Sequence, residues 1–211
     1  MSTISTKVIF SLFIAVAFLS VCAVARAELH EGHHSHEQKK INAPAHCEDP
    51  SADSKAALKE FRPLAALGDA RAQFELGYMY EHGKGVPQDY TESLIWFRKS
   101  AAQGNALAQF YLGQRYDIGN GVSQDYTEAA SWYQKSAAQG GTLAQIHLGF
   151  LYELGQGVPV DMIQAYKWYS LATLSGNTIA LQKKQSAEAK MGSKEIKEAQ
   201  ALADEWLSQH K

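Results

Sequence analysis

The sequence is poor in cysteine. Its 211 residues contain two cysteines, Cys22 and Cys47, and Cys22 lies in an N-terminal segment that we expect to be removed. A single remaining thiol cannot form an internal disulfide. The sequence therefore excludes the class of small secreted proteins whose fold is held together by disulfides.

Basic residues are also not in excess. The chain carries 20 Lys and Arg against 22 Asp and Glu, and removal of residues 1–27 takes away Lys7 and Arg26 and no acidic residue, which leaves a net charge of -4. No Lys/Arg stripe is present to neutralise phosphates. We therefore predict that nucleic acid is not a partner.

Sequence motifs for catalysis are absent as well. The segment Gly83-Lys84-Gly85 lacks the preceding strand and the Lys-Ser/Thr pair of a phosphate-binding loop. Neither a nucleophilic serine elbow nor a His-Glu-x-x-His pair occurs. His82 and His147 are isolated from other candidate catalytic groups. We predict that the protein is not an enzyme.

One long hydrophobic run is present, at the N-terminus. Lys7 precedes apolar residues from Val8 to Val24, and Ala25-Arg26-Ala27 satisfies the small-x-small rule for cleavage. This pattern predicts a signal peptide over residues 1–27, cut after Ala27, and a periplasmic or secreted protein without integral membrane insertion after cleavage. The alternative is an uncleaved anchor, because the run approaches the roughly 18 residues that can span a bilayer.

Residues 28–51 form a polar leader that holds five of the eight histidines. The leader has few large apolar side chains, so we expect it to be disordered. Imidazole is a ligand for Zn, Cu and Ni, and cleavage after Ala27 would add a free amine two residues before a histidine, an array that suits Cu(II) or Ni(II). The candidate metal ligands are His30, His33, His34 and His36.

The rest of the chain is organised by an internal repeat of 36 residues. Each copy contains Ala-Gln, Leu-Gly, a Tyr, Gly-x-Gly-Val, an Asp, and a Trp followed by Phe or Tyr. A fixed period of this length is typical of a solenoid of helical hairpins, because one hairpin cannot bury its own apolar face. The three copies begin AQFELGYMYEHGKGV, AQFYLGQRYDIGNGV and AQIHLGFLYELGQGV.

These copies resemble the Sel-one-like repeat (SLR) family, which is related to tetratricopeptide repeats. The resemblance covers about half of the chain. It implies an all-α, right-handed α/α solenoid of TPR-like hairpins that holds a protein or peptide partner. We expect a half repeat and three full repeats in residues 52–176, and a C-terminal pair of capping helices in residues 177–211.

Residues at fixed places within the repeat predict its helix ends and its packing. Gly83, Gly119 and Gly155 are placed as left-handed C-caps, and each Asp that follows the loop has Glu or Gln three residues later, the pattern of a capping box. Gly77 and its two counterparts lie inside helices, where a glycine costs about 1 kcal/mol. We infer that a facing helix approaches too closely there for a Cβ.

The first helix of each repeat has a face that is shared by the copies and a face that differs between them. Ala72, Gln73, Leu76, Gly77 and Tyr80 span the shared face, which we predict to be buried. The opposite face is the candidate groove, whose mixture of side chains suits a peptide; the alternative is that several of its residues contact only the neighbouring repeat. The candidate groove residues are Arg71, Glu75, Tyr78, Met79, His82, Tyr111, Gln114, Arg115, His147 and Phe150.

Two functions follow from these patterns. The first is a secreted or periplasmic scaffold that binds a protein through the first-helix groove. The second is an envelope metal-binding protein that acts through its His-rich leader.

Deletion of residues 28–46 separates the two hypotheses. If the solenoid is the working part, the shortened protein keeps its protein partner, since no groove residue is removed. The measurement is growth under copper, nickel or zinc stress alongside partner capture. Sensitivity to metal with partner capture intact would instead support the leader as the working part.

Overall fold

The computed structural model of the chain describes residues 52–210, with side chains from residue 54 onward. The predicted signal peptide and His-rich leader lie outside this range, as does the proposed cleavage site. Within it the chain forms nine α-helices and one 3-10 turn, and no strand. The α-helices are α1 Ala52–Ala66, α2 Ala70–His82, α3 Tyr90–Ala102, α4 Ala106–Ile118, α5 Tyr126–Ala138, α6 Thr142–Leu154, α7 Met162–Ala172, α8 Thr178–Glu188 and α9 Ser193–Gln209.

The helices pack in chain order as stacked hairpins. The closest pairs are α2 with α3, α4 with α5, and α6 with α7, and each pair packs on the helices before and after it. We call α2, α4, α6 and α8 the first helices, and α1, α3, α5, α7 and α9 the second helices. This arrangement confirms the prediction of an all-α solenoid of helical hairpins.

The helix ends agree with those predicted from the sequence, with one exception. Gly83, Gly119 and Gly155 end the first helices in the left-handed conformation, as predicted. The Asp89 side chain caps α3 by accepting from the backbone N–H groups of Thr91 and Glu92.

The reciprocal bond of a capping box is replaced by another contact. The backbone N–H of Asp89 donates to the Tyr80 carbonyl at 2.9 Å, and the Asp125 and Asp161 N–H groups donate in the same way to Tyr116 and Tyr152. The prediction of a capping box was therefore wrong, because this N–H joins the second helix to the first helix of its hairpin.

The glycines inside the first helices allow a close approach between the two helices of each hairpin. A Cβ added at Gly77 would lie 2.8 Å from a ring carbon of Phe97, and one at Gly113 or Gly149 would lie 2.6 Å from Tyr133 or Tyr169. All three rings are fully buried. The predicted packing reason for these glycines is confirmed, and the aromatic residue after each Trp belongs to the core.

The second glycine of each Gly-x-Gly loop joins consecutive repeats. Gly85 and Gly121 have positive φ values of 72° and 77°. A Cβ on Gly85 would lie 2.7 Å from the Ser54 carbonyl oxygen, and one on Gly121 would lie 3.2 Å from the Cβ of Tyr90. Each loop therefore rests on the start of the preceding second helix, where only glycine leaves room.

Buried glutamines also tie the repeats together. The Gln73 amide donates to the Ala65 carbonyl at 3.1 Å, which satisfies an acceptor at the end of α1. Gln109 and Gln145 make the same bond to the ends of α3 and α5. The shared Ala-Gln pair of the repeat is thus a packing and capping element.

The last two helices both pack against α7. Ala187 of α8 and Ala199 of α9 are fully buried and belong to one apolar cluster with Tyr166. Trp206 packs against Trp168 with ring centroids 6.4 Å apart. The predicted amphipathic stripe of the last helix is the side that covers α7, so these helices bury the apolar surface that α7 would otherwise expose.

The contact between glycine and aromatic ring predicts whether one substitution stabilises or destabilises the fold. Helix propensity alone would make Gly113→Ala stabilising by about 1 kcal/mol. Because the new Cβ would overlap the buried Tyr133 ring, we expect a loss of about 1–3 kcal/mol in the free energy of unfolding, measured by urea denaturation. Gly192→Ala is the control, since the nearest atom to its added Cβ is 3.5 Å away. A stabilised Gly113→Ala protein would contradict the packing described above.

Candidate protein-binding face

The outward side of the first helices forms a regular grid of side chains. Positions 71, 75, 78 and 82 of α2 recur with the 36-residue period on α4, on α6, and on α8 with the residues just after it. Side chains three or four residues apart lie on the same side of a helix, so each position gives a row across the stack. We call the following set the first-helix face: Arg71, Tyr78, His82 and the adjacent Lys84; Leu107, Tyr111, Gln114 and Ile118; Leu143, His147, Phe150 and Leu154; and Ile179, Lys183 and Lys190.

Two rows of this face are exposed and apolar in the middle of the stack. Leu107, Leu143 and Ile179 share one row and are 43%, 38% and 45% exposed. Ile118 and Leu154 share another row and are both 49% exposed. Surface leucines are ordinary when scattered, but here they are aligned on neighbouring helices. A contiguous apolar strip is typical of a contact surface.

Several predicted groove residues lie between repeats, as the alternative interpretation held. Tyr111 stacks on Phe97 of the preceding repeat with ring centroids 5.2 Å apart, and His147 stacks on Tyr133 at 5.0 Å. Both residues are only half-buried, so one edge of each ring remains on the surface. They contribute to the packing between repeats and lie at the edge of the first-helix face.

Three predicted groove residues are buried and do not contribute exposed surface. Glu75, Met79 and Arg115 are 8%, 5% and 1% exposed. Met79 and Arg115 are one residue beyond the half-buried position 78, which places them about 100° around the helix from it. Their inclusion in the groove was wrong. The sequence comparison showed that these positions differ between copies, but variation also occurs where neighbouring repeats meet.

Arg115 is the largest fully buried side chain among those the structure describes. Its Nη2 lies 2.7 Å from Oε1 of Glu81 in the preceding repeat, and its guanidinium lies 4.9 Å from the centroid of the Tyr90 ring. A buried charge needs such partners, because desolvation otherwise costs several kcal/mol. Arg115 thus links repeats one and two.

The same position carries an acid in all three repeats, and each acid meets a basic residue that follows it by 30 to 37 positions, in the next first helix or, for Lys190, just beyond it. Asp117 Oδ2 lies 3.7 Å from His147 Nδ1, and Glu153 Oε1 lies 2.6 Å from Lys190 Nζ. Glu81, which pairs with Arg115, completes the row. The carboxylate side chains are 13%, 20% and 10% exposed in chain order, and Asp117 and Glu153 are less exposed than the basic residues that they meet.

Hydrogen bonds to the buried tyrosines hold two of these acids in place. The Tyr133 hydroxyl donates to Asp117 at 3.0 Å, and the Tyr169 hydroxyl donates to Glu153 at 2.9 Å. Burial, reinforced by the nearby carboxylate, raises the pKa of Tyr133 and of Tyr169 well above the usual range. Burial also raises the pKa of Tyr111. These phenols stay protonated donors at neutral pH.

The pKa of Glu153 is shifted in the opposite direction, below its usual value. Partial burial opposes its ionisation, but the hydrogen bonds from Lys190 and Tyr169 and the positive charge of Lys190 outweigh it and lower the pKa of Glu153. The carboxylate is therefore charged in the folded protein at neutral pH, and the Lys190 ammonium remains half exposed above it.

The exposed and half-exposed charges of the face are basic. Arg71 is exposed at the start of α2. Lys84 lies 4.9 Å from the ring centroid of Tyr78, and Lys183 lies 4.6 Å from that of Phe150. Among the described residues, none of these three cations forms an ion pair. His82 is exposed and its ring lies 4.1 Å from that of Tyr78.

Neither a group of metal ligands nor a membrane-spanning helix is found in the part of the chain that the structure describes. In residues 54–210 no three His, Cys, Asp or Glu side chains are grouped as metal ligands. The candidate ligands His30, His33, His34 and His36 lie outside the described residues. Of the helices in the described part of the chain, none has the length and apolar content to cross a bilayer.

Comparisons with known proteins give a consistent result. The Sel1 repeat model matches residues 70–105, 106–141 and 142–177, just over half of the 211 residues. A search of curated proteins found no match.

Solved structures of Sel1 repeat proteins are similar to this chain. A Sel1 repeat protein from Oxalobacter formigenes is 40% identical, with a TM-score of 0.58, over 61% of this chain and 97% of its own. A protective antigen from uropathogenic Escherichia coli strains, which displays an SLR fold, is 27% identical with a TM-score of 0.57. That match covers 72% of this chain and 41% of the antigen, so the chain spans less than half of that relative.

The lowered pKa of Glu153 predicts a pH-dependent contribution to stability. Since the folded pKa lies below the ordinary 4.5, the ionised carboxylate stabilises the fold above about pH 4.5, and the contribution is lost as pH falls through the folded pKa. We expect Glu153→Gln to lower the free energy of unfolding by about 1 kcal/mol at pH 7, and by much less at pH 3. Urea denaturation at both pH values measures this, with the exposed Glu198→Gln as control. An equal loss at both pH values would contradict the assignment.

Proposed function

The chain belongs to the Sel1 repeat family, and from this we propose that it is a non-catalytic scaffold that binds a protein partner through its first-helix face. Proteins with this repeat are protein-interaction scaffolds, and the repeats of this chain retain the features that build such a scaffold. The partner contacts the exposed rows of the face, while the shared half of each first helix maintains the stack.

The observation that carries the proposal is the aligned apolar strip. Leu107, Leu143 and Ile179 occupy one position on three successive first helices and remain exposed, although the inner side of the same helices buries apolar side chains such as Leu112, Leu148 and Ala180. Burial of a leucine or isoleucine side chain contributes about 1.5–3 kcal/mol. A partner that covers the strip gains this energy from several residues at once.

Half-buried rings give the strip defined edges. Tyr111 and His147 are held by stacking on the preceding repeat, so they lose little side-chain entropy when a partner binds. Rigid aromatic side chains are enriched among the residues that dominate binding energy. Tyr78 and Phe150 extend this border on neighbouring helices.

We propose further that this scaffold works in the periplasm or outside the cell. The support is the sequence pattern of residues 1–27, which has the cation, the apolar run and the cleavage site of a signal peptide. Cleavage after Ala27 would leave residue 28 as the N-terminus and release the solenoid from the membrane.

A second proposal is metal binding by the leader, with the solenoid as its docking domain. Four histidines within seven residues, His30 to His36, favour it, since imidazole binds Cu, Ni and Zn. The spacing does not match a closed structural site. Protein binding remains the first proposal, because the repeat region is the larger part of the chain.

Substitution of the apolar strip tests the scaffold proposal. Leu107→Ser with Leu143→Ser should weaken capture of the partner from envelope extracts about tenfold or more, because each leucine contributes apolar area to the contact. Thermal unfolding should change little, since both side chains are exposed.

A matched control has two exposed leucines away from the face. Leu64→Ser with Leu174→Ser removes residues that are 42% and 65% exposed. Quantitative mass spectrometry of the captured proteins compares the two variants with the unaltered chain. If both double variants capture the same proteins in the same amounts as the unaltered chain, the first-helix face is not the binding surface.

A further inference from the structure

The arrangement of charge on the first-helix face determines what kind of partner it accepts. This inference deepens the proposed function and rests on it. The protein without residues 1–27 has a net charge of -4. A partner attracted by net charge alone would be basic. The face differs from the rest of the protein in the charges that it exposes.

Apart from Glu188, which is exposed at the C-terminal end of α8, the acids of the first helices are largely covered. Glu75 is buried and has an interaction partner. Glu81 pairs with the buried Arg115, Asp117 and Glu153 lie beneath His147 and Lys190, and the latter two acids also accept hydrogen bonds from buried tyrosines. The partner therefore meets little negative charge on these helices.

The cations lie at the two ends of the face, where Arg71 is exposed and Lys84 and Lys183 are half-buried. Arg71 and Lys84 lie at the two ends of α2, and Lys183 lies on α8 with Lys190, which pairs with Glu153, just beyond that helix. Leu107, Ile118, Leu143 and Leu154 lie on the helices between them, and Ile179 lies on α8. Charges of one sign at both ends of an apolar strip favour a partner with the opposite sign at matching positions.

We propose that the first-helix face binds an acidic peptide segment, with apolar side chains in its middle and carboxylates toward its ends. The apolar side chains lie on the rows of Leu107 and Leu143. The carboxylates pair with Arg71 and Lys84 at one end and with Lys183 at the other.

The geometry of the stack sets the length of this segment. Packed helices lie about 8–10 Å apart, so the three steps from α2 to α8 span about 25–30 Å. An extended chain advances about 3.3 Å per residue, so about eight residues cover the distance. The two carboxylate positions are therefore about eight residues apart in an extended segment.

Selection from a random peptide library tests the proposal. Twelve-residue peptides displayed on phage are selected on the purified protein, without assumption about the natural partner. We expect enriched sequences to have Asp or Glu toward both ends and Leu, Ile, Phe or Tyr between them. Enrichment of Lys and Arg, or no enrichment of any composition, would overturn the proposal.

Charge-reversal substitutions then test which residues bind the carboxylates of the peptide. The triple variant Arg71→Glu, Lys84→Glu, Lys183→Glu should bind a selected acidic peptide about tenfold more weakly or worse at low salt, with a smaller difference at high salt. The same peptide with its carboxylates replaced by Lys should bind the triple variant better than the unaltered protein does.

A control triple variant carries an equal change in net charge. Lys59→Glu, Lys194→Glu, Lys197→Glu alters exposed residues of α1 and α9 and should leave the affinity within about twofold. Equal losses in both triple variants would overturn the assignment of the charges to the face. If only the Leu107 and Leu143 double variant loses affinity, the face binds protein as proposed but the acidic partner is wrong.

Discussion

The structure depends on one close contact, repeated three times, between a helix glycine and the face of a buried aromatic ring. Gly77, Gly113 and Gly149 allow the second helix of each hairpin to approach until a Cβ would overlap Phe97, Tyr133 or Tyr169. Each glycine costs about 1 kcal/mol in helix propensity, and the buried ring offsets that cost. This contact fixes the distance between the two helices, and the fixed period then places the next hairpin.

A consequence is that each first helix has two separate roles. Its inner side packs on the hairpin and, through Gln73 and its counterparts, on the end of the preceding second helix. Its outer side is exposed at positions 71 and 82, where the copies differ. Acids that would give the outer side negative charge are instead paired between repeats, so that exposed cations border an apolar strip.

The sequence predicted the fold and most of its local structural features. The 36-residue period predicted the helical hairpins, and the glycines predicted the C-caps and the close packing of the helices. The shared face of the first helix was correctly predicted to be buried. The errors came from contacts between repeats. Met79 and Arg115 vary in the copies because they meet different neighbours, and variation alone does not separate such residues from exposed ones. The pairing of Glu81 with Arg115 joins residues 34 positions apart, so no local pattern indicates it.

Removal of one complete repeat tests the account most directly. Deletion of residues 106–141 joins Asn105 to Thr142 and keeps the 36-residue register, so every glycine still meets a ring and Glu81 faces His147. The account predicts a folded protein with cooperative urea unfolding and an unchanged helical signal per residue in circular dichroism, whereas deletion of residues 108–141 breaks the register and unfolds the chain. Loss of cooperative folding in the 36-residue deletion, or its retention in the 34-residue deletion, would contradict the account.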